Sequence, residues 1–171
     1  MSRTEADMTS VSSVAAMPDT RFVELYEAHA GAVLAYARRR CGTDEAEDVL
    51  AETFLIAWRR RDEVPPDALP WLYAVARNVV SNRLRSVRRR TALESRLAAE
   101  PLPADDDAPD PRLRAALSTL RPIDREALLL TAWEGLSTQR AARAAGCSAA
   151  TFHVRLHRAR KRLAQALEED R

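Results

Sequence analysis

Apolar residues along this chain recur every three to four positions, the spacing of one face of a helix rather than the alternation of a strand. The clearest run is 70–90, PWLYAVARNVVSNRLRSVRRR. At roughly 100° per residue, Leu72, Ala76, Val79 and Val87 gather on one side, whereas Trp71, Asn78, Asn82, Arg85 and Arg89 line up on another. Upstream, the period predicts a first helix from Asp19 or Thr20 to about Arg40, with Phe22, Leu25, Tyr26, Val33 and Leu34 on its buried side. His29 on that helix reads as a partly buried polar residue. Cys41-Gly42 ends it, and Thr43 restarts the chain with DEAED, which places acids at the positive end of the next helix dipole. Residues 44–61 bury Ala46, Leu50, Thr53, Phe54 and Ala57. On the opposite side Leu55 sits between Asp48, Glu52 and Arg59, with Trp58 beside it. An apolar pair ringed by charge fits either a protein-binding patch or a third layer of self-packing. Val64-Pro65-Pro66 then breaks the chain, because proline lacks a donor and pushes its predecessor to extended geometry.

The second half repeats the pattern in shorter pieces. Asp110-Pro111 opens a helix to about Leu120, Pro122 another to about Trp133, and Gly135 closes it. Ser137 caps a short helix to Ala145, Gly146-Cys147 turns, and Ser148 caps a last helix to about Leu167. In that last helix Phe152, Leu156, Ala159 and Leu163 share the buried side. A short helix, a tight glycine turn and a longer basic helix make a helix-turn-helix. Between the halves, PLPADDDAPDP is acidic, proline-rich and nearly without apolar residues, which is the composition of an extended tether or a solvated hinge. About twenty residues reach at most ~70 Å, enough for two small domains to sit on separate DNA segments. The expected architecture is therefore all-α: a disordered leader 1–18, a helical bundle 19–90, a flexible linker 91–111 and a helix-turn-helix domain 112–168.

Composition changes this picture little, but charge distribution changes it more. The formal net charge is only +2, yet no acid occurs from Arg77 to Arg90 or between Thr151 and Ala166. Arginine and alanine excess can reflect a GC-rich genome; clustering of charge is not a codon effect. Cys41 and Cys147 lie far apart and read as small reduced residues of a cytosolic protein. No apolar run reaches transmembrane length, and the N-terminus lacks the apolar centre of a signal peptide, so the chain is expected to stay inside the cell.

The chemistry these faces offer is recognition rather than catalysis. Bases stack on aromatic rings and guanidinium planes, and amides hydrogen-bond base edges. The Trp71, Asn78, Asn82, Arg85 face therefore suits a partly single-stranded nucleic acid, and equally an amphipathic helix with a solvated arginine side. In the last helix His153, His157 and Lys161 share the outward side, flanked by Arg155, Arg158, Arg160 and Arg162. Early turns of such a helix enter the major groove and later cations grip phosphate. His153 and His157 have metal-ligand spacing, but no glutamate follows the first, and the arginines around them repel a cation. No nucleophile–base pair, phosphate loop or carboxylate dyad is visible, so neither an enzyme nor a cofactor or metal is expected.

Taken in order, DEAEDVLAETFLIAWRR, PWLYAVARNVVSNRLR, the acidic linker and LRPIDREALLLTAWEGLSTQRAARAAGCSAATFHVRLHRARKRL resemble the extracytoplasmic-function (ECF) sigma factors of bacterial RNA polymerase. The resemblance spans about 20–90 and 110–167. It implies a transcription initiation factor that binds core polymerase through Asp48, Glu52, Leu55 and Trp58. It implies that Val64, Trp71, Arg77, Asn78, Asn82, Arg83 and Arg85 meet the melted −10 element. Ser148, Thr151, His153, Arg155, His157, Arg158, Arg160 and Lys161 occupy the positions that read the −35 duplex. An anti-sigma partner is a further expectation of the resemblance. The chain departs from the family pattern in three places: a short loop 62–69 with Val64 where an aromatic is common, Ser137-Thr138-Gln139-Arg140 without the acidic capping-box residue, and histidines at 153 and 157. The rival readings are a stand-alone helix-turn-helix repressor, which leaves Leu55, Trp58 and Asn78 without a task, and an adaptor that binds polymerase and blocks initiation.

Overall fold

The computed structural model describes residues 19–91 and 110–169, with side chains described outside 87–91. The expected leader, nearly all of the expected linker, and the side chains of Val87 and Arg89 lie outside that description. Helices form where caps and periodicity place them: α1 (Thr20–Cys41), α2 (Thr43–Arg59), a 3₁₀ turn at Arg61–Glu63, α3 (Ala68–Thr91), α4 (Pro111–Thr119), α5 (Pro122–Ala132), α6 (Thr138–Ala145) and α7 (Ala149–Glu169). The carboxylate of Asp19 accepts from the Arg21 amide at 3.2 Å, and that of Asp110 from the Arg112 amide at 2.9 Å. Ser137 and Ser148 cap α6 and α7 in the same way. Gly42 and Gly146, at φ of +81° and +66°, supply left-handed stops that other residues resist. No helix among the described residues is long and apolar enough to cross a membrane.

Helices α1, α2 and α3 pack on one another, and α4, α5 and α6 pack against α7. In the first bundle Val33, Tyr36, Val49, Phe54, Leu72, Ala76 and Val79 are buried. Some expectations need correction: Phe22, Leu25 and Leu34 are only partly buried. Tyr26 stays exposed, its ring and that of Phe54 meeting edge to face at 4.7 Å between centroids. Leu50 is only half-buried, and its neighbour Val49 takes the central place. In the second bundle Phe152, Leu156 and Ala159 are buried as expected, against Leu117, Leu120, Ala127 and Leu130. Asp124 is fully buried there and holds Arg121 at 2.9 Å as well as Arg162 of α7. Burial acts to raise the Asp124 pKa, but the Arg121 and Arg162 bonds outweigh it and hold the carboxyl below its usual value. Arg162, expected to flank the outward face, is thus a tie between α5 and α7.

The largest departure from the sequence reading lies between the halves, which are not apart but docked, α3 lying against α6. One buried cluster runs through both. Arg40 of α1 donates to Glu126 and Glu134 of the second half, each at 2.9 Å, while Arg39 also reaches Glu134. The Tyr36 hydroxyl donates to Glu126 at 3.0 Å, and the Tyr36 ring stacks on Tyr73 and lies under the Arg40 guanidinium. The side chain of Glu134 is 1% exposed and that of Arg40 8%, so both charges have left water and depend on each other. Burial pushes the Tyr36 hydroxyl well above its usual pKa and that of Tyr73 up to about 12. Tyr36 continues the buried period of Val33 and Ala37, but nothing in the local sequence announces that Arg40, Glu126 and Glu134 meet across the halves.

Candidate protein and nucleic-acid interfaces

On the outer side of α2, Asp48, Glu52, Leu55 and Trp58 stand four, three and three residues apart and form one stripe. Leu55 is 47% exposed and Trp58 38%. Trp58 leans edge-on against Phe22 at 4.9 Å, and the Arg61 guanidinium sits 5.2 Å from its ring, so the indole is held in place from behind while one side stays open. Both acids of the stripe already have a partner: Arg83 of α3 donates to Asp48 at 3.2 Å and to Glu52 at 3.0 Å. These pairs are partly exposed and weak.

The row read off the α3 wheel is present in part. Asn78, Asn82 and Arg85 are exposed and successive along the helix, and Arg85 donates to the Asn82 amide oxygen at 2.6 Å and to the Ser81 carbonyl at 3.2 Å. Trp71 is half-buried and packs on the core, with the Arg60 guanidinium 5.5 Å from its ring. Val64 is half-buried on the wall of a cavity of about 320 Å³ that Phe22, His29, Pro65 and Pro66 also line. Burial lowers the His29 pKa, as does Arg140, against an opposing pull from Asp67. Arg77 and Arg83 do not join the row. Arg77 turns to the Ala145 carbonyl at the end of α6, and Arg83 turns to the α2 acids. An arginine stem is long enough for tertiary neighbours, not the helix wheel, to decide where its head goes.

The helix-turn-helix face is more open. His153, His157, Arg158, Arg160 and Lys161 are all exposed along α7, and no ion pair ties any of them among the described residues. Ser148 and Thr151 sit at the start of α7, where the Ser148 hydroxyl accepts from the Thr151 amide and donates to the Thr151 hydroxyl at 2.8 Å. Arg155 differs: it is half-buried and lines a cavity of about 390 Å³ between the halves. Cys41 and Cys147 are free thiols; Cys41 donates to the Ala37 carbonyl, and burial raises its pKa to about 11.

Sequence reading missed the groups that join the halves. Asp67, in the short loop before α3, holds Arg140 of α6 by two hydrogen bonds at 2.8 and 3.2 Å and also holds Arg143. The Arg140 bond leads in drawing the Asp67 pKa below its usual value. The only hint in the sequence is the isolation of Asp67 as a lone acid between Pro66 and Pro70.

Residues 25–90 match the family described as Sigma-70 region 2, and residues 111–163 match Sigma-70, region 4. The chain is similar to RNA polymerase sigma factor CarQ of Myxococcus xanthus, 35% identical over 156 residues covering 86% of this chain and 90% of that protein. It is also similar to ECF RNA polymerase sigma factor SigL of Mycobacterium tuberculosis, 33% identical over 172 residues covering 95% of this chain and 97% of that protein. Among solved structures it is similar to the sigma factor RpoE in complex with the anti-sigma factor NepR from Bartonella quintana. There the TM-score is 0.68 and the identity 28%, over 89% of this chain and 99% of that one. It is likewise similar to CnrH in complex with the cytosolic domain of CnrY, at a TM-score of 0.63 and 29% identity, over 90% and 92% of the two chains.

Proposed function

The chain belongs to the sigma-70 family, in its extracytoplasmic-function branch, and from that membership we propose how its two halves divide the start of transcription. The protein is an initiation factor that directs bacterial RNA polymerase to promoters. In our reading residues 19–90 bind core polymerase through Asp48, Glu52, Leu55 and Trp58 and hold the separated −10 strand along Asn78, Asn82 and Arg85, with Val64 and Trp71 at the upstream end. Residues 112–168 grip the −35 duplex through Ser148, Thr151, His153, His157, Arg158, Arg160 and Lys161. Segment 91–111 tethers the two, and two contacts on one tether raise effective concentration, so each can be weak alone. Extruding a base costs a few kcal/mol, which contacts to the displaced base offset. Arg77 and Arg83 join the DNA contacts only after leaving their present partners, and Arg155 only after leaving the cavity between the halves.

One observation carries this reading: the exposed row on α3 is amide-rich, the exposed row on α7 is cationic, and they belong to different halves. The chain itself supplies no chemistry in this reading; catalysis belongs to the polymerase, beside which it works in the cytoplasm. By likeness to RpoE and CnrH, which were solved bound to NepR and CnrY, we extend to it an anti-sigma partner as well. Run-off transcription with purified core polymerase, on promoters selected by the assembled holoenzyme, tests the reading. A defined transcript only when this chain is present is the expected result. Tight operator binding without polymerase, or association without a transcript, sinks it in favour of a repressor or a blocking adaptor.

A further inference from the structure

The outward side of α7, which the proposed function turns toward duplex DNA, holds one large side chain with no hydrogen bond to give or take. Val154 is 46% exposed. At roughly 100° per residue it stands opposite the buried row of Phe152, Leu156 and Ala159, so it occupies the middle of that side rather than its margin. One turn before it lie Ala150 and Thr151, and one turn after it His157 and Arg158, all of them exposed. Folding gives no reason for a valine there. It joins neither the buried core nor the side chains packed against it. A β-branched residue is also among the weaker helix formers, whereas the arginines nearby are among the better. A single exposed aliphatic group is ordinary on a protein surface. What sets this one apart is its place, within two turns of the Ser148 cap, on the part of such a helix that enters the major groove.

The major groove presents one apolar feature, the 5-methyl group of thymine. We propose that Val154 sets specificity at one base pair of the upstream element by packing its methyl groups on a thymine methyl. The proposal rests on the functional reading above and deepens it, naming a base where that reading names only groups. His153, His157 and Arg158 suit base-edge donors and acceptors or phosphates, and none of them rewards a methyl group. Valine strongly prefers one χ1 rotamer in a helix, so its two methyls are held in place before DNA arrives. Such a contact gives about fourfold in affinity, the worth of one buried methyl-sized group. It adds nothing to the count of neutralised phosphates, so it is independent of salt.

The test uses the full chain assembled with core polymerase, and a fluorescent duplex carrying an upstream element selected by that holoenzyme. Each thymine of the element is replaced in turn by deoxyuridine, which keeps every hydrogen-bonding group and lacks only the methyl. Anisotropy shows one position at which the replacement weakens wild-type binding about fourfold. Val154→Ala, at an exposed site that leaves the core untouched, weakens binding to the thymine duplex by the same factor and is indifferent to uracil at that position. The slope of its log affinity against log salt matches that of the wild type. Val23→Ala removes the same atoms from an exposed valine of α1 and keeps the uracil penalty. A penalty that survives in Val154→Ala overturns the proposal, because another group then reads the methyl. So does a wild-type holoenzyme that tolerates every uracil, or a selected element without thymine. Run-off transcription from the same duplex, extended downstream, separates the two ideas. A wild type that shows the uracil penalty yet makes no transcript counts against initiation; one that makes the transcript and tolerates every uracil counts against Val154.

Discussion

The two outward rows, one on α3 and one on α7, are built on opposite principles. On α3 the exposed groups are amides and an arginine already bonded to one of them, and the neighbouring cations Arg77 and Arg83 are spent inside the fold. On α7 five cationic or titratable side chains face water, and no ion pair claims any of them among the described residues. The difference suits two forms of one ligand. Duplex DNA carries dense charge, and each cation that neutralises a phosphate releases counterions, so loose cations on a rigid helix are effective. A separated strand offers unstacked bases, for which short-range hydrogen bonds and stacking discriminate and excess charge does not.

The largest expected effect breaks the comparison by removing one side. Phe152→Ala empties the fully buried centre of the second bundle and costs it about 3–5 kcal/mol, read by urea denaturation. Duplex binding is lost with it, whereas association with core polymerase persists. Loss of both would mean that the halves cannot act separately. Next, Arg158→Ala with Arg160→Ala weakens upstream duplex binding and lowers the slope of log affinity against log salt by about two, measured by anisotropy across a salt series. Asn78→Ala has a smaller effect, slowing promoter opening about tenfold or less with that salt slope unchanged, as followed by a fluorescent base analogue in the −10 segment. If Asn78→Ala instead alters the slope and leaves opening alone, the contrast drawn here is wrong. The smallest effect concerns acid. The Asp124 pKa is lowered in the folded chain, so its stabilisation is present above the ordinary carboxylate range and is lost as pH falls through the folded value. Stability read from unfolding curves therefore falls more steeply with falling pH below pH 5 for the wild type than for Asp124→Asn.

Local rules made much of this fold legible beforehand. Asp19, Asp110, Ser137 and Ser148 each cap the helix they announce, and Leu72, Ala76 and Val79 fall inside as the wheel requires. So do Phe152, Leu156 and Ala159. What stayed hidden is what only another part of the chain can decide. Tyr73 and Val80 are buried because α3 has a second neighbour, and no single-helix pattern announces one. The direction of Arg77 was hidden for the same reason: its head answers to a carbonyl 68 residues away. Which side chains face outward was readable where they are short, as with Asn78 and Asn82, and least readable where they are long.

Gly146 meets two demands that arise independently. Its backbone angle is one that L-residues adopt only under strain, and the space a methyl group would fill lies 3.1 Å from a guanidinium of the other half. That guanidinium can yield by a few tenths of an ångström; the torsion cannot. A substitution there therefore bends the elbow of one bundle while nudging its neighbour, and no choice of side chain adjusts one without disturbing the other.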